Sequence, residues 1–82
     1  MGMEFLFETV VLSFDIPVYY RICLIDADSY FAELMEGQED EAYQCNFYFY
    51  RLHRGWITDN EYQQRQAEQI GDLLEKKYFR IC

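Results

Sequence analysis

The sequence has few cations, one histidine and one proline, and these scarcities exclude several classes of protein. Seven Lys and Arg residues stand against fifteen Asp and Glu residues, which gives a formal net charge of −8 over 82 residues. A nucleic-acid-binding surface needs clustered cations that displace counterions, so we expect no direct nucleic-acid binding. The longest apolar run is far below the roughly 18 residues of a transmembrane helix, so we expect no membrane partner.

Cysteine is also sparse. Cys23, Cys45 and Cys82 leave one thiol unpaired in any disulfide arrangement, and none of them lies in a C-x-x-C motif. The chain starts without a secretory signal pattern, so a reducing compartment is favoured over a disulfide scaffold. The sequence therefore predicts a cytoplasmic protein.

No catalytic or metal-binding motif is present. His53 is the only histidine, and no Ser or Cys lies in a recognisable motif with it, as nucleophilic catalysis would require. Asp26 and Asp28 match the first spacings of a calcium loop, but Phe31 stands where the loop needs glycine, and Gly37 where it needs glutamate. We therefore expect a protein that is not an enzyme and has no cofactor and no metal.

Aromatic residues are abundant, at 20% of the chain, and four of them are consecutive at 47–50. Aromatic residues favour strands, in which successive side chains point to opposite faces. Phe47 and Phe49 should thus face one way, and Tyr48 and Tyr50 the other. Both faces of this strand are bulky, so one should be the core, while the other should be covered or should bind a partner.

The fold class expected for residues 1–82 is a single α+β domain. We expect a four-stranded antiparallel meander, with strands at 5–14, 18–25, 30–36 and 43–52. The segment 30–36 also contains good helix formers, so a short inserted helix is the alternative, although its alternating pattern favours a strand. Residues 53–57 are expected to turn the chain and lead into a helix, and 79–82 could add a short terminal strand.

One C-terminal α-helix, over about 59–77, is expected to pack on one face of this sheet. Thr58 and Glu61 have the spacing of a capping box. An apolar stripe should face the sheet, and the glutamines should face solvent. The residues of that stripe are Tyr62, Ile70, Leu73, Leu74 and Tyr78. Phe47 and Phe49 should lie under the helix with Ile70, Leu73 and Leu74.

One helix covers one side of a sheet, so the opposite aromatic face is the expected interaction surface. The sequence therefore predicts a protein-interaction module whose simplest partner is a second copy of itself, in a homodimer. Candidate partner-binding residues on or near that face are Tyr48, Tyr50, Tyr19 and Trp56. Trp56 has an alternative structural role at the junction between strand and helix.

Two other functions stay open. The first is an acidic inhibitor or adaptor that binds a basic protein. Such a basic partner could be a protein that normally binds nucleic acid. Its candidate residues are Glu36, Glu39, Asp40 and Glu41, at the end of an acidic stretch without cations. The second is a small-ligand-binding domain that uses the aromatic face as a platform for a sugar or a planar molecule.

Overall fold

The computed structural model describes residues 3–13, 15–36 and 46–78, with the side chains of Ser13 and Glu36 left aside. In this part of the chain, five strands are followed by a 3-10 turn and an α-helix. The strands are β1 (Glu4–Ser13), β2 (Ile16–Asp26), β3 (Ser29–Glu36), β4 (Phe47–Leu52) and β5 (Gly55–Thr58). The 3-10 turn is Glu61–Gln63, and helix α1 is Gln64–Tyr78. The α+β class with an antiparallel sheet is confirmed.

The five strands form one antiparallel meander in the order β1-β2-β3-β4-β5. β2 starts two residues earlier than expected, with Pro17 inside it and opposite Leu12. Proline has no N–H to donate to a neighbouring strand. It is tolerated at position 17 because the pairing of β2 with β3 ends at Tyr19 and Glu36, so that Pro17 has a neighbouring strand on one side only. Asp15 has a φ of 67°, a left-handed conformation that aspartate accepts in a tight turn.

The sheet has five strands in its described part, so the expected number of four is wrong. The additional strand is β5, which the sequence suggested as a connection to the helix. His53 and Arg54 form a two-residue turn after β4, and Gly55 follows with a φ of 147° that other residues rarely adopt. This tight turn folds Trp56 and Ile57 back along β4, where they pair with Arg51 and Tyr50.

Residues 30–36 form a strand, as the alternating pattern favoured. β3 pairs with β2 along most of its length and with β4 in its first half. Tyr30 and Ala32 are buried, whereas the residues between and after them are more exposed. The helix formers in this segment are outweighed by the two sheet neighbours, which supply hydrogen bonds and a half-buried surface.

The helical segment starts differently from the expected capping box. Thr58 belongs to β5, where its hydroxyl donates to the Tyr48 carbonyl over 2.6 Å. Asn60 is the N-cap instead, and its side chain accepts the N–H of Tyr62 at 3.0 Å. Because β5 extends through Thr58, the first position free to cap a helix is two residues later.

The buried face of the 3-10 turn and α1 together also differs from the expected apolar stripe. Ile70 and Leu74 are fully buried as expected, but Tyr62 and Tyr78 are about half exposed. Gln63 and Gln66 are buried in place of these tyrosines. The Tyr20 hydroxyl donates to Gln63 Oε1 at 3.4 Å, which gives this buried amide a polar partner inside the core.

The core lies between α1 and one face of the sheet. Phe47 and Phe49 are buried there with Ile70 and Leu74, so the expected direction of the aromatic strand is confirmed. On β2, Val18, Tyr20 and Ile22 point to the same side and are fully buried. α1 packs mainly on the two outer strands, β5 and β1, and so crosses the whole sheet. Residues 37–45, which include the expected start of the aromatic strand, and the terminal strand expected at 79–82 lie outside the described residues.

Candidate interaction face

The sheet face opposite α1, which we call the open face, carries large apolar side chains on four of its strands. Strand alternation and the pairing register place a partly exposed set there. Its members, each 40–55% exposed, are Phe5, Val10, Leu12, Tyr19, Tyr48, Leu52 and Ile57. Side chains of this size offer about 150–250 Å² when fully exposed, so the set presents roughly 600 Å². Glu8, Arg21 and Glu33 lie between two groups of these residues, with Val10, Leu12 and Tyr19 on one side and the other four members on the other.

Four residues form a line across the open face, which we call the aromatic row. Phe5, Cys23, Phe31 and Tyr48 are register partners on β1, β2, β3 and β4. The rings of Phe31 and Tyr48 are 4.8 Å apart between centroids. Cys23 is buried although it points away from the core, because its larger neighbours cover the small thiol. Burial raises the pKa of Cys23, and the nearby Glu33 carboxylate raises it further, so the thiol stays protonated near neutral pH.

A second line, the charged row, lies beside the aromatic row. It consists of Glu8, Arg21 and Glu33 on β1, β2 and β3. Arg21 Nη2 is 3.5 Å from Glu8 Oε2, and Arg21 Nη1 is 4.0 Å from Glu33 Oε1. Arg21 also lies over the Phe5 ring, at 5.7 Å from its centroid. Its buried Nε has no hydrogen-bond partner among the described residues, so one strong donor of this face is unsatisfied.

Three of the expected partner-binding residues lie on the open face. Tyr19 and Tyr48 are clearly exposed, whereas Tyr50 is partly buried beside Ile57 of β5 and Ser29 of β3. A tyrosine suits such a position because its ring packs while its hydroxyl stays hydrated. The structure therefore gathers these three tyrosines on one surface with the apolar set.

Trp56 lies in the core under α1, which corresponds to its structural alternative. Its ring is 5.6 Å from that of Tyr30 and 5.7 Å from that of Phe49, and it is 6% exposed. Its Nε1 donates to Glu75 at 3.2 Å, and its carbonyl accepts a hydrogen bond from Gln64 at 2.8 Å. These contacts connect β5 to both ends of the helix and leave little of the ring for a partner.

The acidic stretch does not form one surface in the described part of the chain. Asp26 and Asp28 lie at the β2–β3 turn, where Asp28 N–H donates to Asp26 Oδ1 at 3.2 Å. Glu36 lies at the other end of β3, about 24 Å away along an extended strand. Glu33, between them, belongs to the charged row. The other candidates, Glu39, Asp40 and Glu41, lie outside the described residues.

Three clefts in the described part of the chain are lined mainly by polar side chains, and two of them reach the rim of the open face at Leu12 and at Leu52. One of about 550 Å³ is lined by the β4–β5 turn and by carboxylates of α1. It brings His53 and Arg54 close to Glu68, Asp72 and Glu75. Within residues 3–13, 15–36 and 46–78, no group of three His, Cys, Asp or Glu side chains is arranged to hold a metal. No described helix is long and apolar enough to cross a bilayer.

Sequence reasoning missed the charged row. Arg21 and Glu33 come into register through an irregularity between Leu24 and Asp26, whereas Glu8 and Arg21 are equally distant from the β1–β2 turn. Such symmetry about a hairpin turn predicts cross-strand pairing. The pairing of Glu8 with Arg21 could therefore have been found from a two-residue β1–β2 turn, whereas the pairing of Arg21 with Glu33 depends on an irregularity in β2 that the sequence does not indicate.

Protein-family models, characterised proteins and solved structures give no match to this chain. The geometry of the open face is therefore the basis for assigning a function.

Proposed function

We propose that this protein is a non-enzymatic interaction module that associates with a second copy of itself through the open face. The observation that carries the proposal is the roughly 600 Å² of half-exposed apolar surface on a chain that is otherwise strongly acidic. With Phe31, Tyr50 and the charged row added, the face approaches the roughly 800 Å² that each partner buries in a standard interface. Two-fold pairing is the commonest way for one such face to be covered.

The charge distribution supports a second copy as the occupant. Among the described side chains, the open face carries Glu8, Arg21 and Glu33, a net charge of −1, while the whole chain carries −8. Most of the like charge therefore lies outside the contact, where salt screens it over about 8–10 Å. Pairing of two open faces brings together apolar groups and one short row of mixed charge.

Edge-to-edge pairing is less favourable than face-to-face pairing. β1 is a long edge strand, but a bulge at Leu6 interrupts its register, and Gln69 Nε2 donates to the Leu12 carbonyl at 3.3 Å. Both features hinder the addition of another strand to this edge. The other edge, β5, has four residues, which is short for a stable ladder. The open face is thus the larger of the surfaces available for association.

Light scattering after size exclusion, at low micromolar concentration, tests the proposal. We expect twice the chain mass for the natural sequence, and a monomer for Tyr48→Lys, which puts a charge in the centre of the open face. Tyr62→Lys is the matched control, because Tyr62 is similarly exposed but lies on the 3-10 turn. A natural chain that stays monomeric, or a Tyr48→Lys variant that still dimerises, contradicts the proposal.

We also propose a cytoplasmic location. Cys23 is a free thiol, shielded between neighbouring rings on the sheet. A chain with three cysteines keeps them reduced most readily in a reducing compartment. Fractionation of host cells, with the protein followed by antibody, tests this: recovery in the cytosolic fraction supports it, and recovery with the cell envelope opposes it.

A further inference from the structure

We infer that the second copy docks with the two-fold axis parallel to the strands and between β2 and β3, so that Arg21 of each copy faces Glu33 of the other. This inference rests on the self-association proposed above and adds its geometry. It follows from the order of charges in the charged row and from the position of that row beside the aromatic row.

An axis perpendicular to the strands is unfavourable. Such an axis places each strand over the same strand of the second copy. If the axis runs along the charged row, Arg21 faces Arg21 of the second copy, and Glu8 and Glu33 likewise face the same residues of the second copy. An axis along the aromatic row instead sets the charged row against other side chains of the same strands, so that Glu33 faces Ser29 of the second copy. The charges are then desolvated without opposite charges from the second copy, which costs free energy.

An axis parallel to the strands reverses the strand order in the second copy. If the axis lies on β2, Arg21 faces Arg21, and if it lies on β3, Glu33 faces Glu33. Between β1 and β2, Arg21 faces Glu8, but only those two strands overlap. Between β2 and β3, Arg21 faces Glu33, and four strands of each copy overlap. Only this last position combines opposite charges with a large contact.

Arg21 and Glu33 have the freedom that this pairing requires. Their own contact is 4.0 Å, at the limit for an ion pair, and their side chains are close to half exposed. Arg21 Nε lacks a partner among the described residues. A carboxylate from the second copy would give the guanidinium another charged acceptor within the interface, where hydrogen bonds to charged groups are strong.

The same axis gives complementary contacts in the aromatic row. Strand β1 lies over β4 of the second copy, so Phe5 faces Tyr48, and Cys23 faces Phe31. Packed sheets are about 10 Å apart, a distance that rings from both sides fill. The small thiol opposite a large ring also avoids steric conflict near the axis.

Cross-linking of two single-cysteine variants tests the position of the axis. Phe5→Cys and Tyr48→Cys are each made in a background with Cys23→Ala and with serine at positions 45 and 82. The variants are mixed and treated with a bis-maleimide that spans the roughly 10 Å between packed sheets. We expect the cross-linked dimer to be at least tenfold more abundant in the mixture than in either variant alone. The reason is that position 5 of one copy and position 5 of the other lie about three strand spacings, or 14 Å, apart laterally, in addition to the separation between the sheets.

Three outcomes overturn the inference or its basis. Dimers that cross-link as well in Phe5→Cys alone as in the mixture indicate an axis perpendicular to the strands. If light scattering shows that the mixture is dimeric but no cross-linked dimer forms, the axis between β2 and β3 is excluded, while the proposed function is unaffected. A chain that is monomeric before any substitution refutes the proposed function itself.

A charge exchange tests the ion pair without cysteines. We expect Arg21→Glu to weaken association at least tenfold and the double variant R21E/E33R to restore most of it. Arg21→Glu with an unchanged dissociation constant overturns the inferred pair. Circular dichroism of each variant separates weakened association from unfolding, and a folded double variant that stays monomeric also counts against the pair.

Discussion

Replacement of Gly71 by alanine should destabilise the fold, although alanine is the better helix former. Gly71 is buried in the middle of α1, where the helix backbone lies against the indole of Trp56. A Cβ at this position would overlap with ring atoms Cδ1, Cδ2 and Cε2 of Trp56. Either the helix shifts away from β5 or the indole leaves its position between Tyr30 and Phe49.

Two opposing terms set the magnitude. Alanine gains about 1 kcal/mol of helix propensity over glycine. Overpacking of a core costs about 1–3 kcal/mol, and complete loss of a buried Trp contact costs about 3–5 kcal/mol. Since the overlap involves a rigid ring and a helix backbone, we expect a net loss of about 2 kcal/mol. For a domain of this size, that loss lowers the Tm by roughly 8–16 °C.

Urea unfolding followed by far-ultraviolet circular dichroism measures the effect, at one protein concentration because association adds stability. Asp72→Ala, at the adjacent and exposed helix position, is the matched control and should be neutral or slightly stabilising. In a Trp56→Leu background, the cost of Gly71→Ala should disappear, since the ring that it meets is gone. A Gly71→Ala protein as stable as the natural one, or an equal cost in both backgrounds, refutes this reasoning.

Three further predictions concern buried polar groups. Tyr20→Phe removes the hydroxyl that donates to Gln63, so the free energy of unfolding should fall by about 0.5–1.5 kcal/mol in the same titration. An unchanged stability would mean that the bond contributes nothing. In a variant with serine at positions 45 and 82, Cys23 should react with iodoacetamide at pH 8 far more slowly when folded than in urea, and equal rates would contradict its burial. Because the pKa of Cys23 is raised in the folded protein, the thiol ionises at a lower pH in the unfolded chain than in the folded one. Stability is therefore full at lower pH and falls above about pH 8.5, and Cys23→Ala should remove that part of the decline.

The inner faces of the central strands could be predicted because alternation alone determines them. Once Phe47 and Phe49 point into the core, Tyr48 and Tyr50 must point out, whatever the neighbours are. The same holds in β2, where Val18, Tyr20 and Ile22 share the buried side. These patterns depend on a period of two residues and require no knowledge of tertiary contacts.

Strand β5 and the helix face could not be predicted from such a period. Gly55–Thr58 is four residues long, too short for a pattern, and becomes a strand because the turn before it returns the chain to β4. Gln63 enters the core because Tyr20 supplies a polar partner on the facing strand. Both outcomes depend on residues that are distant in sequence, which a local pattern does not report.

The composition of the open face favours one defined association over nonspecific aggregation. A purely aliphatic face of this area would bind any apolar surface, whereas tyrosine hydroxyls and the charged row stay hydrated in a free monomer. The row of Glu8, Arg21 and Glu33 also discriminates between arrangements, because a misplaced copy brings like charges together or leaves a charge desolvated. A self-associating module needs both properties: enough apolar area to bind, and a polar pattern that only one geometry satisfies. Loss of the charged row without loss of the apolar set should therefore give several associated forms in place of one.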